Sequence, residues 1–258
     1  MADSRHVLAQ IEKVKVGGID IARLDLDATA DLMVNLVQTA PRSDRPLNFT
    51  SANGEVIARY RSNRAFAKLV EDADLVSADG QPLVFASKLF GRVALPERVA
   101  TTDLYDRVAA RAERTGVSFY LLGATEEINR KTYELTRRKY PHLNILGRSH
   151  GYLAGTALEA KIGDINALAP DILWLAMGVP AEQRFVDRWA PRLKNVGLIK
   201  TSGGLFDFYS GTKPRAPKVL QTLGLEWAYR ILVEPRRLFW RYAVTNPVAI
   251  MQLIRATA

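Results

Sequence analysis

Short apolar runs alternate along most of this chain with stretches whose apolar residues recur at helical spacing. The runs predict strands at residues 47–50, 75–76, 117–122, 144–147, 171–177 and 196–200. The stretches between them predict helices, and strands that alternate with helices in this way are typical of βαβ units. The pattern therefore predicts an α/β fold with a mostly parallel, Rossmann-like sheet and helices on both faces.

The N-terminal part of the chain shows a different pattern. Residues 13–21 alternate between apolar and polar side chains around Gly17-Gly18, which predicts an N-terminal β-hairpin. Asp27 is a suitable N-cap for a helix that should run to about Thr39.

The strand pattern stops after Asp207, where proline, aromatic residues and arginine become frequent. Residues 212–258 hold eight Lys or Arg and two Glu, so this segment carries +6 of the net charge of +9. We predict an α/β domain at 1–208 and a basic, helical appendage at 209–258. Its charge indicates an anionic partner: nucleic acid, a membrane surface or a diphosphate ligand. Either its aromatic rings and arginines lie at a membrane interface, or it is a solvated basic helix packed on the domain.

Composition narrows the class of protein. The chain has 258 residues, of which 48% are hydrophobic and 24% charged, as in an ordinary globular protein with a sizeable core. It contains no cysteine, which excludes disulfides and thiol catalysis, and its three histidines are too scattered to predict a metal site. The N-terminus is not a signal peptide, and no apolar run approaches the roughly 18 residues of a spanning helix. We therefore expect a cytoplasmic protein.

Asp79 stands between the strand that ends at residues 75–76 and a helix predicted over 81–90. The carboxyl ends of parallel strands share one edge of a sheet, where open α/β folds bind their ligands. Asp79 is therefore either the cap of its own helix or the carboxylate of a binding site. Residues at the other strand ends should join it at that edge, namely Ser51, Asn53, Gly123, Glu182, Gln183 and Ser202.

The common signatures of nucleotide and hydrolase sites are missing, since no P-loop, GxGxxG or GxSxG sequence occurs. Two DxD sequences, at 25–27 and 72–74, have the form of a metal-dependent nucleotide-sugar site. We interpret both as structural, because the first lies at a helix start and the second precedes a strand. A single carboxylate without a rival acid–base group suits general-base activation of a hydroxyl. Arginines of the appendage are suited to neutralise a leaving diphosphate.

The order in which several short motifs follow one another along the chain identifies a family more specifically than any single motif does. In this order they resemble the WecG/TagA/CpsF family, glycosyltransferase family 26, over residues 15–245. The motifs are Ser51-x-Asn53, ADLVSADG at 73–80, ERV at 97–99, TDL at 102–104, FYLLG at 119–123, HGY at 150–152, PDI at 170–172, GVP at 178–180, GGLFDF at 203–208, Gly211 with RAP at 215–217, GLEWAYR at 224–230 and EPRR at 234–237.

The resemblance implies an inverting, metal-independent transferase that needs no cofactor. Such an enzyme moves a sugar from a UDP-sugar to a polyprenyl-diphosphate-linked saccharide during synthesis of surface polysaccharides. The resemblance also implies that the 209–258 appendage completes the active site and docks on the anionic inner face of the bacterial plasma membrane. Asp79 matches the proposed base of the family. The residues expected to bind substrate are Ser51, Asn53, Arg98, Gly123, Glu182, Gln183, Asp207, Arg230, Arg237 and Arg241.

Two positions depart from the family pattern. Glu182-Gln183 stand in the reverse of the usual order, and Thr101 replaces a usual glycine. The exchange lies near the expected donor sugar, so N-acetylmannosamine-type, glucose and glucuronate donors all stay open. A homo-oligomer is compatible with this interpretation, whereas a nucleic-acid partner is not expected. The alternative is a non-catalytic α/β protein that binds a nucleotide or nucleic acid; an epimerase would need the dinucleotide fingerprint that is absent.

Overall fold

The computed structural model describes residues 4–39 and 42–258. A two-stranded antiparallel hairpin lies beside a six-stranded sheet in which every pairing is parallel. The strands are β1 (Lys13–Val16), β2 (Ile19–Ala22), β3 (Leu47–Ala52), β4 (Leu75–Ala78), β5 (Phe119–Gly123), β6 (Ile145–Ser149), β7 (Ile172–Ala176) and β8 (Leu198–Thr201). The order of the large sheet is β4-β3-β8-β7-β5-β6, which confirms the predicted parallel sheet, and β1 and β2 confirm the predicted hairpin.

Helices connect the strands and are the regular elements of the C-terminal appendage, residues 209–258. They are α1 (Ser4–Ala9), α2 (Leu26–Thr39), α3 (Gly54–Ser62), α4 (Arg64–Glu71), α5 (Gln81–Phe90), α6 (Thr101–Thr115), α7 (Glu126–Lys139), α8 (Gly155–Leu168), α9 (Ala181–Trp189), α10 (Leu205–Tyr209), α11 (Lys218–Thr222), α12 (Glu226–Val233) and α13 (Pro235–Arg255). The short helix α1 was not predicted. Within the described ranges 4–39 and 42–258, no helix has the length and apolar character needed to cross a bilayer.

Both faces of the sheet are covered, as the uninterrupted apolar run of β7 predicted. Trp174 of this strand is fully buried in a cluster with Met33 of α2 and Val108 of α6. Its neighbours in the same strand point to the opposite face, where Leu173 packs in a cluster with Phe185 of α9. A strand buried on both faces has no solvated side, which explains why β7 lacks polar alternation.

The hairpin turn is hydrogen-bonded to the end of the C-terminal helix α13. Gly17 and Gly18 both have positive φ, at +59° and +86°, as a two-residue hairpin turn requires. Gly18 N donates to Ala256 O at 2.8 Å, and Gln252 Nε2 donates to Gly17 O at 3.2 Å. Leu253 of α13 shares a buried cluster with the hairpin and α3. The appendage is therefore packed against the α/β domain at its far end.

The two DxD sequences have structural partners. Asp25 Oδ1 accepts a hydrogen bond from Ala28 N at 2.7 Å, so Asp25 caps α2. The prediction that Asp27 is this cap is wrong, because the helix already begins at Leu26, and Asp27 in its first turn pairs with Arg111 at 2.9 Å instead. Asp74 pairs with Arg45 at 3.0 Å before β4, at the opposite end of that strand from Asp79.

Candidate active site

The loop after β4 places Asp79 at the carboxyl edge of the sheet. The parallel register pairs Ala78 with Ala52 of β3, and Asp79 N donates to Ala52 O at 2.8 Å. The loop is thereby fixed beside Asn53, whose Oδ1 accepts from two backbone N–H groups and caps α3. This arrangement brings Asp79 and Asn53 together, as the sequence predicted.

Asp79 caps a different helix from the one expected. Helix α5 receives no side-chain cap, so the interpretation of Asp79 as the cap of its own helix is wrong. Its carboxylate turns instead to the start of α6, which also lacks a cap from its own N-cap residue. There Oδ1 accepts from Thr101 N at 3.3 Å and Oδ2 accepts from Thr101 Oγ1 at 3.2 Å. The carboxylate is therefore held on two sides while Asp79 remains only half-buried.

A buried lysine stands behind this carboxylate. Lys200 of β8 is fully buried, and its Nζ donates to Ser51 Oγ at 2.7 Å and to Thr201 O at 2.9 Å. Ser51 Oγ lies 3.3 Å from Thr101 Oγ1. Neither Lys200 nor Thr101 was predicted to belong to the site. The sequence signal was present: Lys200 is a lone charge within the otherwise uncharged strand Leu198–Thr201.

A second carboxylate lies at the same edge, so the expectation that Asp79 has no rival acid–base group is wrong. Glu182 is buried at the start of α9, and its Oε2 accepts from Gly203 N at 2.8 Å. Glu226, from the appendage, also lines the space around Asp79. Glu182 was predicted to lie at this edge, whereas Glu226 was not, because it comes from α12 and does not follow a strand of the sheet.

Burial and nearby charges shift the pKa values of the site in opposite directions. Burial raises the pKa of Asp79, the charges of Arg98 and Lys200 oppose that rise, and the charge of Glu226 adds to it. Burial also raises the pKa of Glu182 to about 7. Burial lowers the pKa of Lys200 to about 8, against the opposing charges of Asp79 and Glu182. Three ionisable groups of this site are therefore tuned toward neutral pH.

Two cavities meet at Asp79. The larger, of about 340 Å³, extends toward the appendage and has a largely apolar wall. The smaller, of about 110 Å³, extends toward the loop after β8 and is lined by Ser51, Thr101, Glu182 and Ser202 among others. Both are lined by the same five residues at their junction, namely Asn53, Asp79, Arg98, Glu226 and Arg230.

The predicted arginines differ in how their charge is used. Arg98 pairs with Glu226 at 2.9 Å, Arg241 pairs with Glu55 at 3.1 Å, and Arg237 pairs with Glu234. Arg230 instead lies over the ring of Phe208, at 5.2 Å. Among the residues that the structure describes, Arg230 forms no ion pair with a carboxylate, so its charge is available to a ligand. Within the same residues, no three His, Asp or Glu side chains cluster as a metal site.

Four predicted site residues do not line either cavity within the described part of the chain. The Gln183 side chain is buried, with its Nε2 3.5 Å from Thr50 Oγ1. A side chain at Gly123 would collide with the backbone of Ala176, so this glycine has a packing role between β5 and β7. Asp207 pairs with Lys213 at 3.4 Å, and Arg237 is half-exposed beside Glu234. The others, Ser51, Asn53, Asp79, Arg98, Glu182, Arg230 and Arg241, line one or both cavities.

The similarity to known proteins extends over nearly the whole chain. A model described as the glycosyl transferase WecG/TagA/CpsF family matches residues 14–258. One similar curated protein is the N-acetylglucosaminyldiphosphoundecaprenol N-acetyl-beta-D-mannosaminyltransferase of Bacillus spizizenii strain W23, with 31% identity over 215 residues. That match covers 81% of this chain and 80% of the relative.

Proposed function

The chain belongs to the WecG/TagA/CpsF family of glycosyl transferases, and from this premise we propose that it moves a sugar from a UDP-sugar to a polyprenyl-diphosphate-linked saccharide. The observation that carries the proposal is the junction of two unlike cavities at one carboxylate, Asp79. The name of the B. spizizenii relative supports a lipid-linked diphosphate acceptor. The donor sugar is N-acetylmannosamine or a relative, glucose, or glucuronate.

The larger cavity suits the lipid-linked acceptor. Pro82, Trp227 and Ile250 contribute to its apolar wall. Beyond it, α12 and α13 present large apolar side chains to solvent, with Leu232 80% and Trp240 73% exposed. Exposed apolar surface of this extent marks an interaction site. Trp227 and Ile250 of the cavity wall are themselves 39% and 56% exposed, so the saccharide can reach Asp79 from this side while the lipid tail stays outside.

The smaller cavity suits the donor sugar. Hydroxyl groups of Ser51 and Ser202 and the backbone at Gly203 and Gly204 line it, next to the Glu182 carboxylate. Polar groups of this kind form the hydrogen bonds that orient a sugar. This assignment places the anomeric carbon near the junction of the cavities, within reach of a hydroxyl held in the larger one.

Asp79 serves as the base in a single displacement. It takes the proton of the acceptor hydroxyl while that oxygen bonds to the anomeric carbon, and the bond from that carbon to UDP breaks. The attack comes from the face opposite UDP, so the configuration inverts. The products are the glycosylated acceptor and UDP, and the proton passes from Asp79 to solvent.

Arginine charge stabilises the departing diphosphate without a metal. Arg230 lines both cavities and has no carboxylate partner among the described residues. Arg98 lies beside it and can exchange Glu226 for a phosphate oxygen. Guanidinium groups bind phosphate through paired, charge-assisted hydrogen bonds.

The exposed apolar and basic surface of the appendage docks on an anionic membrane. Residues 1–208 then act as the catalytic domain and 209–258 as the docking segment that completes the site. Aromatic and basic side chains favour the headgroup region of a bilayer. The protein would accordingly be a peripheral enzyme on the inner face of the bacterial plasma membrane, serving surface-polysaccharide synthesis.

One assay tests the reaction directly. The protein is incubated with UDP-N-acetylmannosamine, UDP-glucose or UDP-glucuronate, a polyprenyl-diphosphate-linked N-acetylglucosamine acceptor and excess EDTA. We expect release of UDP and a product with one more sugar of inverted anomeric configuration. Absence of transfer from every donor, together with a gel shift of an oligonucleotide and no binding to liposomes, would support the non-catalytic alternative.

A further inference from the structure

Lys200 stands at one end of a continuous line of hydrogen bonds that ends on Asp79. The line runs from Lys200 Nζ to Ser51 Oγ at 2.7 Å, from Ser51 Oγ to Thr101 Oγ1 at 3.3 Å, and from Thr101 Oγ1 to Asp79 Oδ2 at 3.2 Å. Three different elements supply the residues: β8, β3 and the start of α6. The proposed reaction uses Asp79 but gives Lys200 no part.

The ammonium group at one end and the carboxylate at the other allow only one direction of hydrogen-bond donation along this line. A charged ammonium group can only donate, so Ser51 Oγ must accept from Lys200 and give its own hydrogen to Thr101. An ionised carboxylate can only accept, so Thr101 gives its hydrogen to Asp79. Both hydroxyl groups are therefore oriented toward Asp79 for as long as Lys200 carries its proton. If Lys200 loses the proton, Ser51 is free to turn back toward the lysine nitrogen.

We propose that Lys200 is a positioning residue, which orients the Ser51 and Thr101 hydroxyls toward Asp79 and so holds that carboxylate ready to accept the substrate proton. This inference rests on the proposed function of the site. It deepens that function by giving a role to Lys200, which is not among the described residues that line the two cavities.

The burial of Lys200 supports a functional role. The residue is 0% exposed on β8, in register with Phe49 and Trp174 of the neighbouring strands. No carboxylate lies within ion-pair distance of it in the described part of the chain, and a buried charge without such a partner is costly. An apolar residue at this core position would stabilise the fold better. The structure therefore contains a charge whose benefit lies in the site and not in packing.

The other charges around Asp79 act on it without this line of hydrogen bonds. The Arg98 charge favours the ionised carboxylate more than the Lys200 charge does, but Arg98 is paired with Glu226, whose own charge opposes ionisation of Asp79. Glu182 faces Lys200 from α9 and favours its protonated form. Lys200 is therefore the group that both favours the charged form of Asp79 and reaches it through directed hydrogen bonds.

Lys200→Met removes the charge while filling the apolar part of the space. We expect kcat to fall by roughly tenfold to a hundredfold, the range for losing a hydrogen bond to a charged group, with KM little changed. Loss of a positive charge raises the pKa of the Asp79 base, so the acidic limb of the kcat profile moves to higher pH.

In the wild type, activity also falls above pH 8 as Lys200 deprotonates from its pKa of about 8, and this alkaline limb disappears in the variant. Lys200→Arg keeps the charge and moves the alkaline limb to higher pH.

Two further variants separate positioning from folding. Thr101→Val breaks the line at its other end without touching Lys200, and it should reproduce the loss in kcat. Lys194→Met makes the same substitution at an exposed lysine and should leave the profile unchanged. The proposal would be overturned if the pH dependence of kcat in Lys200→Met, scaled to the same maximum, were identical to that of the wild type.

A measurement that needs no turnover keeps this test independent of the reaction. Carboxyl ¹³C NMR of Asp79 gives its titration midpoint in the wild type, Lys200→Met and Lys194→Met proteins. We expect the midpoint to rise in Lys200→Met only. An unchanged midpoint refutes the role of Lys200 whatever the donor assay shows. A risen midpoint in a protein that transfers no sugar supports Lys200 and rejects the reaction.

Discussion

Arg98 Nη1 lies 2.9 Å from Glu226 Oε2, and this ion pair joins the loop before α6 to the first residue of α12 beside Asp79. Both side chains are mostly buried, at 12% and 25% exposed. A diphosphate that binds Arg98 must compete with the Glu226 carboxylate. The pair therefore links the appendage both to the charge of Asp79, the proposed base, and to the access of an anionic ligand.

Glu226→Gln should shift the pH dependence in the direction opposite to Lys200→Met. The charge of Glu226 raises the pKa of Asp79, so its removal lowers that pKa. Asp79 must be ionised to act as a base, and the acidic limb of kcat/KM should therefore move to lower pH. The control is Glu234→Gln, which changes an appendage glutamate outside both cavities. A limb that moves to higher pH in Glu226→Gln would contradict the proposed base.

Asp79→Asn should abolish most transfer while leaving UDP binding nearly intact. General-base catalysis contributes about 10²–10⁴-fold, and we expect a loss in that range. Glu182→Gln is the matched control at the rival carboxylate, because an amide oxygen can still accept from Gly203 N. It should lose less than the Asp79 variant in kcat, measured at saturating substrates. The reverse order would make Glu182 the base.

The Asp79→Asn variant should also be at least as stable as the wild type. In the wild type, the pKa of Asp79 is raised in the folded state. At pH values just above the ordinary carboxyl pKa, the folded protein therefore binds more protons than the unfolded chain. Stability contributed by this group therefore falls as pH rises through that window. A neutral amide removes the effect, and the Tm at pH 7 should stay equal or rise.

Arg230→Ala should weaken catalysis more than Arg237→Ala does. Arg230 lines both cavities with its charge available, whereas Arg237 is held by Glu234 and is half-exposed. A charged hydrogen bond contributes about 1.5–3 kcal/mol, so kcat/KM should fall roughly tenfold to a hundredfold in Arg230→Ala. Steady-state kinetics of the two variants decide the point. A larger loss for Arg237→Ala would move the diphosphate away from the cavity junction.

Charged substitutions on the exposed apolar surface should release the protein from membranes. Leu232→Glu and Trp240→Glu each place a carboxylate where we propose contact with acyl chains and anionic headgroups. Sedimentation with anionic vesicles should show weaker binding, while transfer to a short-chain, water-soluble acceptor stays unchanged. Leu168→Glu on α8 is the control for an exposed leucine outside the appendage. Equal vesicle binding by all three variants would argue against this docking surface.

Hydrophobic periodicity was sufficient to predict the parallel sheet, the hairpin and the position of Asp79. A run such as Ile172–Ala176 has few alternatives to a strand buried on both faces. The turn after β4 then fixes where its next carboxylate must lie. What periodicity cannot supply is the partner of that carboxylate. Thr101 reaches Asp79 only because α6 starts beside the end of β4, which is a tertiary contact.

Side-chain direction explains the remaining differences. Glu182 and Gln183 are adjacent on α9, so they point about 100° apart around the helix. One therefore lines the smaller cavity while the other packs near Thr50. Periodicity does not predict a site role for Lys200, because a charge in a strand ordinarily indicates a solvated side. A sheet covered on both faces has no such side, so a lone lysine within one of its strands requires a functional explanation.

The contact between the hairpin turn and the end of α13 has a consequence for biosynthesis. Gly17 N bonds to Thr257 Oγ1, a partner 240 positions later in the chain. At translation rates of about 5–20 residues per second, the backbone groups of the hairpin turn lack these partners for roughly 10–50 s after the turn is synthesised. During that interval water must satisfy the N–H groups of Gly17 and Gly18. The hairpin turn therefore reaches its final hydrogen bonding only after α13 has been synthesised, long after the sheet beside it.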